Sequence, residues 1–195
     1  MTDALHYPDT FIRGILKTVR SIAIVGVSPK DNRPSYFAFK YLLERGYKMY
    51  AVNPGQTGKD LLGRKFYAKL ADIPDPIDMV DMFRAAPYAD GVVEEALALK
   101  PRPAVFWMQL GVRNDEAAAK AEAGGMKVVM DRCPKIEYGR LSSEISWMGV
   151  NSRIISSKRA KIMGGGVQRM SLNRETLAGG TTSGSAAAAD EPKSS

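Results

Sequence analysis

Cysteine occurs once in this 195-residue chain, at Cys133, and histidine once, at His6. One thiol closes no internal disulfide. No apolar run reaches the roughly 18 residues that a membrane-spanning helix needs. The opening stretch "MTDALHYPDT" has neither a basic start nor an apolar core, so it does not read as a secretory signal. With so little cysteine, the expected compartment is the reducing cytoplasm.

What remains is the composition of a globular protein, 45% hydrophobic and 25% charged. The length suits one domain of about 100–150 residues plus an extension. Net charge is +7, which raises the question of nucleic acid, but its distribution answers against it. Residues 151–195 hold 7 of the 28 Lys and Arg and 3 of the 21 Asp and Glu, so the tail alone carries +4. The body needs only a local basic patch. Nucleic acid is therefore not the expected partner.

Along the chain, strands alternate with helices. Phe11, Ile12, Ile15, Leu16 and Val19 recur at helical intervals, and "SIAIVG" follows as a buried strand stopped by Gly26. After a polar loop, an apolar-rich stretch from Tyr36 to Leu43 reads as a helix that begins near Pro34 or Ser35. The second strand, "YKMYAVNP", ends at Asn53-Pro54, since proline cannot donate to a continuing ladder. "GQTGKDLLGRKFYAKLADIP" is loop-rich with one short strand at Lys65 to Ala68, and "IDMVDMFRAAP" supplies a fourth strand ending near Arg84. Pro87 opens the next helix, whose apolar face is Val92, Val93, Ala96, Leu97 and Leu99. "AVFWMQLG" is a fifth strand, "NDEAAAKAEAGG" a helix capped by Asn114 or Asp115, and "MKVVMDRCP" a sixth strand.

Alternation of this kind implies crossovers and a mostly parallel sheet, and continuously apolar strands imply helices on both faces. The expectation is a Rossmann-like, three-layer α/β fold with a doubly wound sheet of five or six strands. Its order is third, second, first, fourth, fifth, with the sixth at the edge. The domain spans residues 1–141. Residues 142–178 form a basic extension, and 179–195 a low-complexity, disordered tail. Trp147, Ile154 and Ile155 could hold the extension to the body or to a protein partner. The short cluster Lys158, Arg159 and Lys161 reads as a solvated extension rather than a nucleic-acid arm.

In doubly wound sheets, ligands sit at the carboxyl ends of the strands where the order reverses. Those ends read Gly26-Val27-Ser28, Asn53-Pro54-Gly55, Phe83-Arg84-Ala85 and Gln109-Leu110-Gly111. The dinucleotide fingerprint is missing: of its spaced glycines only Gly26 is present, and no acid stands where Asn53-Pro54 ends the second strand. What is present suits phosphate, namely backbone amides, the Ser28 hydroxyl, a helix N-terminus, Lys30, Arg33, Lys59 and Arg84. An NADP-dependent oxidoreductase stays as an alternative, its extra phosphate met by basic residues after the second strand.

Three separated stretches in order carry a resemblance: "IAIVGVSPKDNRPSYFAFKYLLERGYKMYAVNP", "LLGRKFYAKLADIPDPIDMVDMFR" and "FWMQLGVRNDEAAAKAEAGGMKVVMDRCPKIE". Over residues 18–141 the chain resembles the small stand-alone CoA-binding domain proteins, similar in fold to the CoA-binding domain of the succinyl-CoA synthetase alpha subunit. The resemblance implies coenzyme A, or an acyl-CoA, across the strand ends. Gly26, Val27 and Ser28 would contact phosphate, and Asn53 and Pro54 would border the adenosine, with Lys59 answering the 3′-phosphate. Arg33 and Tyr36 would clamp and cover the ligand. Phe83, Arg84, Trp107, Gln109 and Gly111 would line the pantetheine side. The synthetase works through a phosphorylated histidine and a nucleotide-grasping subunit, whereas His6 lies outside any such motif. Binding without stand-alone catalysis is thus the expectation, with a CoA-sensing regulatory or assembly role through a partner as a further alternative.

Two features outside that site have ordinary readings. Cys133 reads as a small buried residue, against the alternative of a thiol that pairs with CoA or senses oxidation. Asp72, Asp75, Asp78 and Asp81 have no Cys or His beside them and read as solvated groups or caps. No metal is expected.

Overall fold

The structure, a computed structural model, describes residues 5–142. Trp147, Ile154, Ile155, the cluster at Lys158, Arg159 and Lys161, and both expected tail segments beyond residue 142 lie outside the described residues. Seven strands form one sheet: β1 (Ser21–Val25), β2 (Lys48–Val52), β3 (Asp60–Leu61), β4 (Arg64–Tyr67), β5 (Met79–Met82), β6 (Val105–Met108) and β7 (Lys127–Val129). Their order is β3-β4-β2-β1-β5-β6-β7. All pairs are parallel except β3 on β4. The expected order holds, and the strand beyond expectation is β3.

Among the described residues five α-helices cover the two faces: α1 (Asp9–Thr18), α2 (Pro34–Glu44), α3 (Ala89–Ala98), α4 (Asp115–Ala123) and α5 (Pro134–Leu141). Side chains alternate across each strand, and both sets are apolar because neither face meets water. Ala23, Val25, Val80 and Met82 pack with Val92, Val93, Ala117 and Ala121 of α3 and α4. Ile22, Ile24, Met79 and Trp107 share the other core with Ile12 and Ile15 of α1 and Phe39 and Leu42 of α2. Local chemistry starts the helices: Pro34 occupies the first turn of α2, and Asn114 caps α4 by accepting from the Ala117 amide at 2.9 Å.

The aspartates serve several ends. Asp72 caps a short turn, accepting from the Lys69 amide at 3.2 Å. Asp75 accepts from the Tyr50 hydroxyl and pairs with Lys48 at 3.0 Å. Asp78 precedes β5 and accepts from the amides of Arg20 and Ser21, at 2.7 and 2.9 Å, which pins the start of β1. Asp81 corrects the expectation of a solvated group: it is completely buried within β5. Among the described residues no group of three or more His, Cys, Asp or Glu could hold a metal, and no helix is long and apolar enough to cross a membrane.

Candidate functional site

From β1 the chain proceeds outward to β2 and β4, then returns to the other side as β5. The sheet therefore reverses between β1 and β5, and the turn after β1 lies against the turn after β5. Gly26 makes this approach feasible. Its φ is +88°, and its amide donates to the Val52 carbonyl at 2.8 Å, while the Phe83 amide donates to the Val25 carbonyl at 2.8 Å. Any β-carbon at Gly26 would meet Arg84 and the Phe83 carbonyl, so only glycine lets the two turns touch.

Beyond Gly26 the turn is tied to its neighbours. Val27 is buried, and its carbonyl accepts from Asn53 Nδ2 at 2.9 Å. Asn53 Oδ1 accepts from the Gly55 amide at 3.1 Å, so this side chain joins the turns after β1 and β2. The Ser28 amide donates to Ser35 Oγ at 3.0 Å, and Ser28 Oγ accepts from the Lys30 amide at 3.2 Å. The first turn is thereby fastened to the start of α2. No acid stands in the first turn of α2, and its N-cap is Arg33, whose side chain makes no cap bond. Amides, a hydroxyl, the helix dipole, Lys30 and Arg33 together favour an anion. Tyr36 lies on the first turn of α2 with its ring edge-on to Phe37, centroids 6.1 Å apart. Lys59 stands on the turn after β2, donating from Nζ to Gln56 Oε1 at 3.0 Å.

Beside this turn, on the α3 side, opens a cavity of about 410 Å³. The strand ends contribute Val25, Gly26, Val52, Asn53, Pro54 and Ala68. The turn after β5 and α3 contribute Phe83, Arg84, Ala85, Tyr88, Val92 and Glu95. At its rim the Arg84 guanidinium lies 4.2 Å from the centre of the Tyr88 ring, a cation–π contact. Gly26, Asn53, Pro54, Phe83 and Arg84 thus share one cavity, and the walls expected separately for adenosine and pantetheine are the same wall.

Three expected residues are placed elsewhere. Trp107 is wholly buried on the α1–α2 side, its indole N–H donating to the Arg132 carbonyl at 2.8 Å. With helices on both faces, a strand residue of either parity goes to core. Gln109 is nearly buried too, and its Nε2 donates to both Asp81 oxygens, at 2.8 and 3.0 Å. The Gly111 amide is taken by Asp131 Oδ1 at 2.7 Å. None of the three is among the residues that line this cavity.

Sequence reasoning missed Tyr88 and Glu95. Their signal was available: positions 88, 92 and 95 form one helical stripe, i, i+4 and i+7. It also missed Asp81, whose carboxyl burial pushes up to about 8, against a smaller opposing effect of Gln109. Burial likewise pushes the Cys133 thiol up to about 11. Neither group lines the cavity.

Known proteins are similar to this chain. A "hypothetical protein from Pyrococcus horikoshii OT3" superposes with a TM-score of 0.66 at 39% identity, over 73% of this chain and 99% of that one. The Bacillus subtilis protein YneT is 37% identical over 127 residues, which is 65% of this chain and 91% of YneT. The Pyrococcus furiosus "Acetate--CoA ligase [ADP-forming] I subunit alpha" is 36% identical over 80 residues, 39% of this chain and only 17% of that subunit. The family described as "CoA binding domain" matches residues 20–139, more than half of the sequence. The chain therefore belongs to the CoA binding domain family.

Proposed function

We propose that this protein binds coenzyme A or an acyl-CoA at the carboxyl ends of its parallel strands, without stand-alone catalysis. One observation carries the reading: an anion-receptive turn, Gly26 to Ser28 fastened to the start of α2, shares an edge with the 410 Å³ cavity. A ligand that joins phosphates to a flat, partly apolar base needs that pairing. The Ser28 hydroxyl, Lys30 and Arg33 would meet the diphosphate. The slot between Asn53–Pro54 and Phe83–Tyr88 would take the adenosine, with Lys59, on the turn after β2, for the 3′-phosphate. Arg84, already over Tyr88, would close the slot and add a charged contact to the phosphates. The sole histidine, His6, is exposed ahead of α1.

Calorimetric titration of the full chain with CoA, acetyl-CoA, NADPH and ATP in parallel tests this. Micromolar binding of CoA, about −8 kcal/mol, with weaker NADPH and ATP is the expected result. Tighter NADPH would move the protein to the nicotinamide-dependent oxidoreductases. Silence from CoA and acetyl-CoA alike would overturn the proposal.

A further inference from the structure

We infer that Glu95 makes the cavity selective for a 6-aminopurine, so that adenine is accepted and 6-oxopurines are refused. The inference rests on the proposed adenosine slot and goes beyond it by naming what reads the base.

Tyr88 stands at the N-cap of α3, and Val92 and Glu95 follow on the same stripe. Seven residues of helix rise about 10 Å, so the stripe runs from the Tyr88–Arg84 rim to Glu95 at the far end, a depth that suits a purine. Between them the walls are Val52, Pro54, Ala68 and Val92, apolar surfaces that suit the flat body of a base. The carboxylate at the end is held in place: its Oε1 accepts from the Leu70 amide, at the start of the short helical turn Leu70–Asp72. Among the described residues no Lys or Arg pairs with it, although Asp90 and Glu94 of the same helix both pair with Lys120.

A fixed carboxylate only accepts hydrogen bonds. It has no use for phosphate, so it does not belong to the anion-receptive turn. Adenine presents an amino donor at position 6, whereas guanine and hypoxanthine present a carbonyl acceptor there. The amino group would satisfy Glu95, and a carbonyl would set lone pairs against lone pairs in a desolvated slot. Sites built on such a hydrogen bond discriminate strongly against the analogue that cannot make it.

The test is calorimetric titration of the full chain and of Glu95→Gln with adenosine 3′,5′-bisphosphate and inosine 3′,5′-bisphosphate, with CoA as control. Glutamine keeps an oxygen for the Leu70 amide and adds a donor for a 6-carbonyl, so the variant should melt at the wild-type temperature. Wild type should prefer the adenosine compound by about tenfold or more, and Glu95→Gln should bring the ratio to within about threefold. Equal binding of the two compounds by the wild-type chain, with CoA still bound, would overturn the base reading and leave the CoA proposal standing. An unchanged preference in a folded Glu95→Gln would assign selectivity to other groups and overturn it too. Failure of CoA itself to bind would remove both.

Discussion

A β-carbon built on Gly26 would lie 2.8 Å from Cγ of Arg84 and 3.2 Å from the Phe83 carbonyl oxygen. The switch point of the sheet is thus closed by contact between the backbone of one turn and the stem of the arginine that rims the cavity. Gly26→Ala would add left-handed strain at φ +88° and push Arg84 away. The expected cost is about 2–4 kcal/mol of stability, from strain and overpacking together. Urea unfolding reads that loss, and CoA titration should show at least a tenfold weakening in any protein that remains folded. A variant as stable and as competent as the wild type would mean that the turns can separate freely.

Arg84→Ala and Ser28→Ala separate charge from hydroxyl. Under the proposed function, loss of a charged phosphate contact should weaken CoA by about 1.5–3 kcal/mol, and loss of a neutral hydroxyl by about 0.5–1.5 kcal/mol. The Arg84 effect should shrink at high salt, because part of it is charge attraction. Wild-type affinity in both variants would take these residues out of the site.

The legible part of this protein was its sheet. "SIAIV" and "VFWM" are apolar at every position, so both faces had to be covered and the order followed from the crossovers. The same property hid the fate of Trp107: when both faces are core, strand parity no longer separates a pocket from an interior. Glu95 was hidden for the opposite reason. A charged residue beside Glu94 on an amphipathic helix looks like solvent face, and only the cavity that it shares with Ala68 and Val52 makes a slot. Strand β3 has two residues, and its turn, Leu62-Gly63, lacks the Asn-Gly signature that marks a hairpin. Helix α5 escaped notice because "PKIEYGRL" carries a central glycine and little apolar periodicity.

Asp81 should make stability depend on pH. Burial raises its carboxyl from 3.8 to about 8 in the folded protein. Below pH 4 both states hold the proton and there is no penalty. Between about pH 4 and 8 the unfolded chain releases the proton while the folded one keeps it. Stability therefore falls as pH rises through this window, by at most about 1.4 kcal/mol per unit from this group. Asp81→Asn, which still offers Gln109 an oxygen, should gain on the wild type as pH rises from 5 to 7.5 in urea unfolding. Parallel pH dependence of the two proteins would show that Asp81 ionises normally.

Cys133 should be inert in the folded protein. It is buried at the N-cap of α5, and its thiol is pushed up to about 11. Attack needs the thiolate, whose population at pH 7 is on the order of one in ten thousand at that value. An aromatic disulfide reagent should label the native chain over hours and the urea-unfolded chain within minutes. Rapid native labelling, or a stable mixed disulfide with CoA, would restore the reactive reading of this cysteine.

Leu62 offers a gain in stability. It occupies the first position of the two-residue turn between β3 and β4 with φ +51°, followed by Gly63 at +75°. Two positive angles in such a turn suit Asn-Gly, whereas a leucine there bears left-handed strain. Leu62 is 41% exposed, so replacement gives up only part of an apolar burial. Leu62→Asn should therefore stabilise the protein by about 0.5–1 kcal/mol. The gain would appear as a higher urea midpoint at unchanged slope. A lower midpoint would show that Leu62 holds an apolar contact strong enough to outweigh the strain.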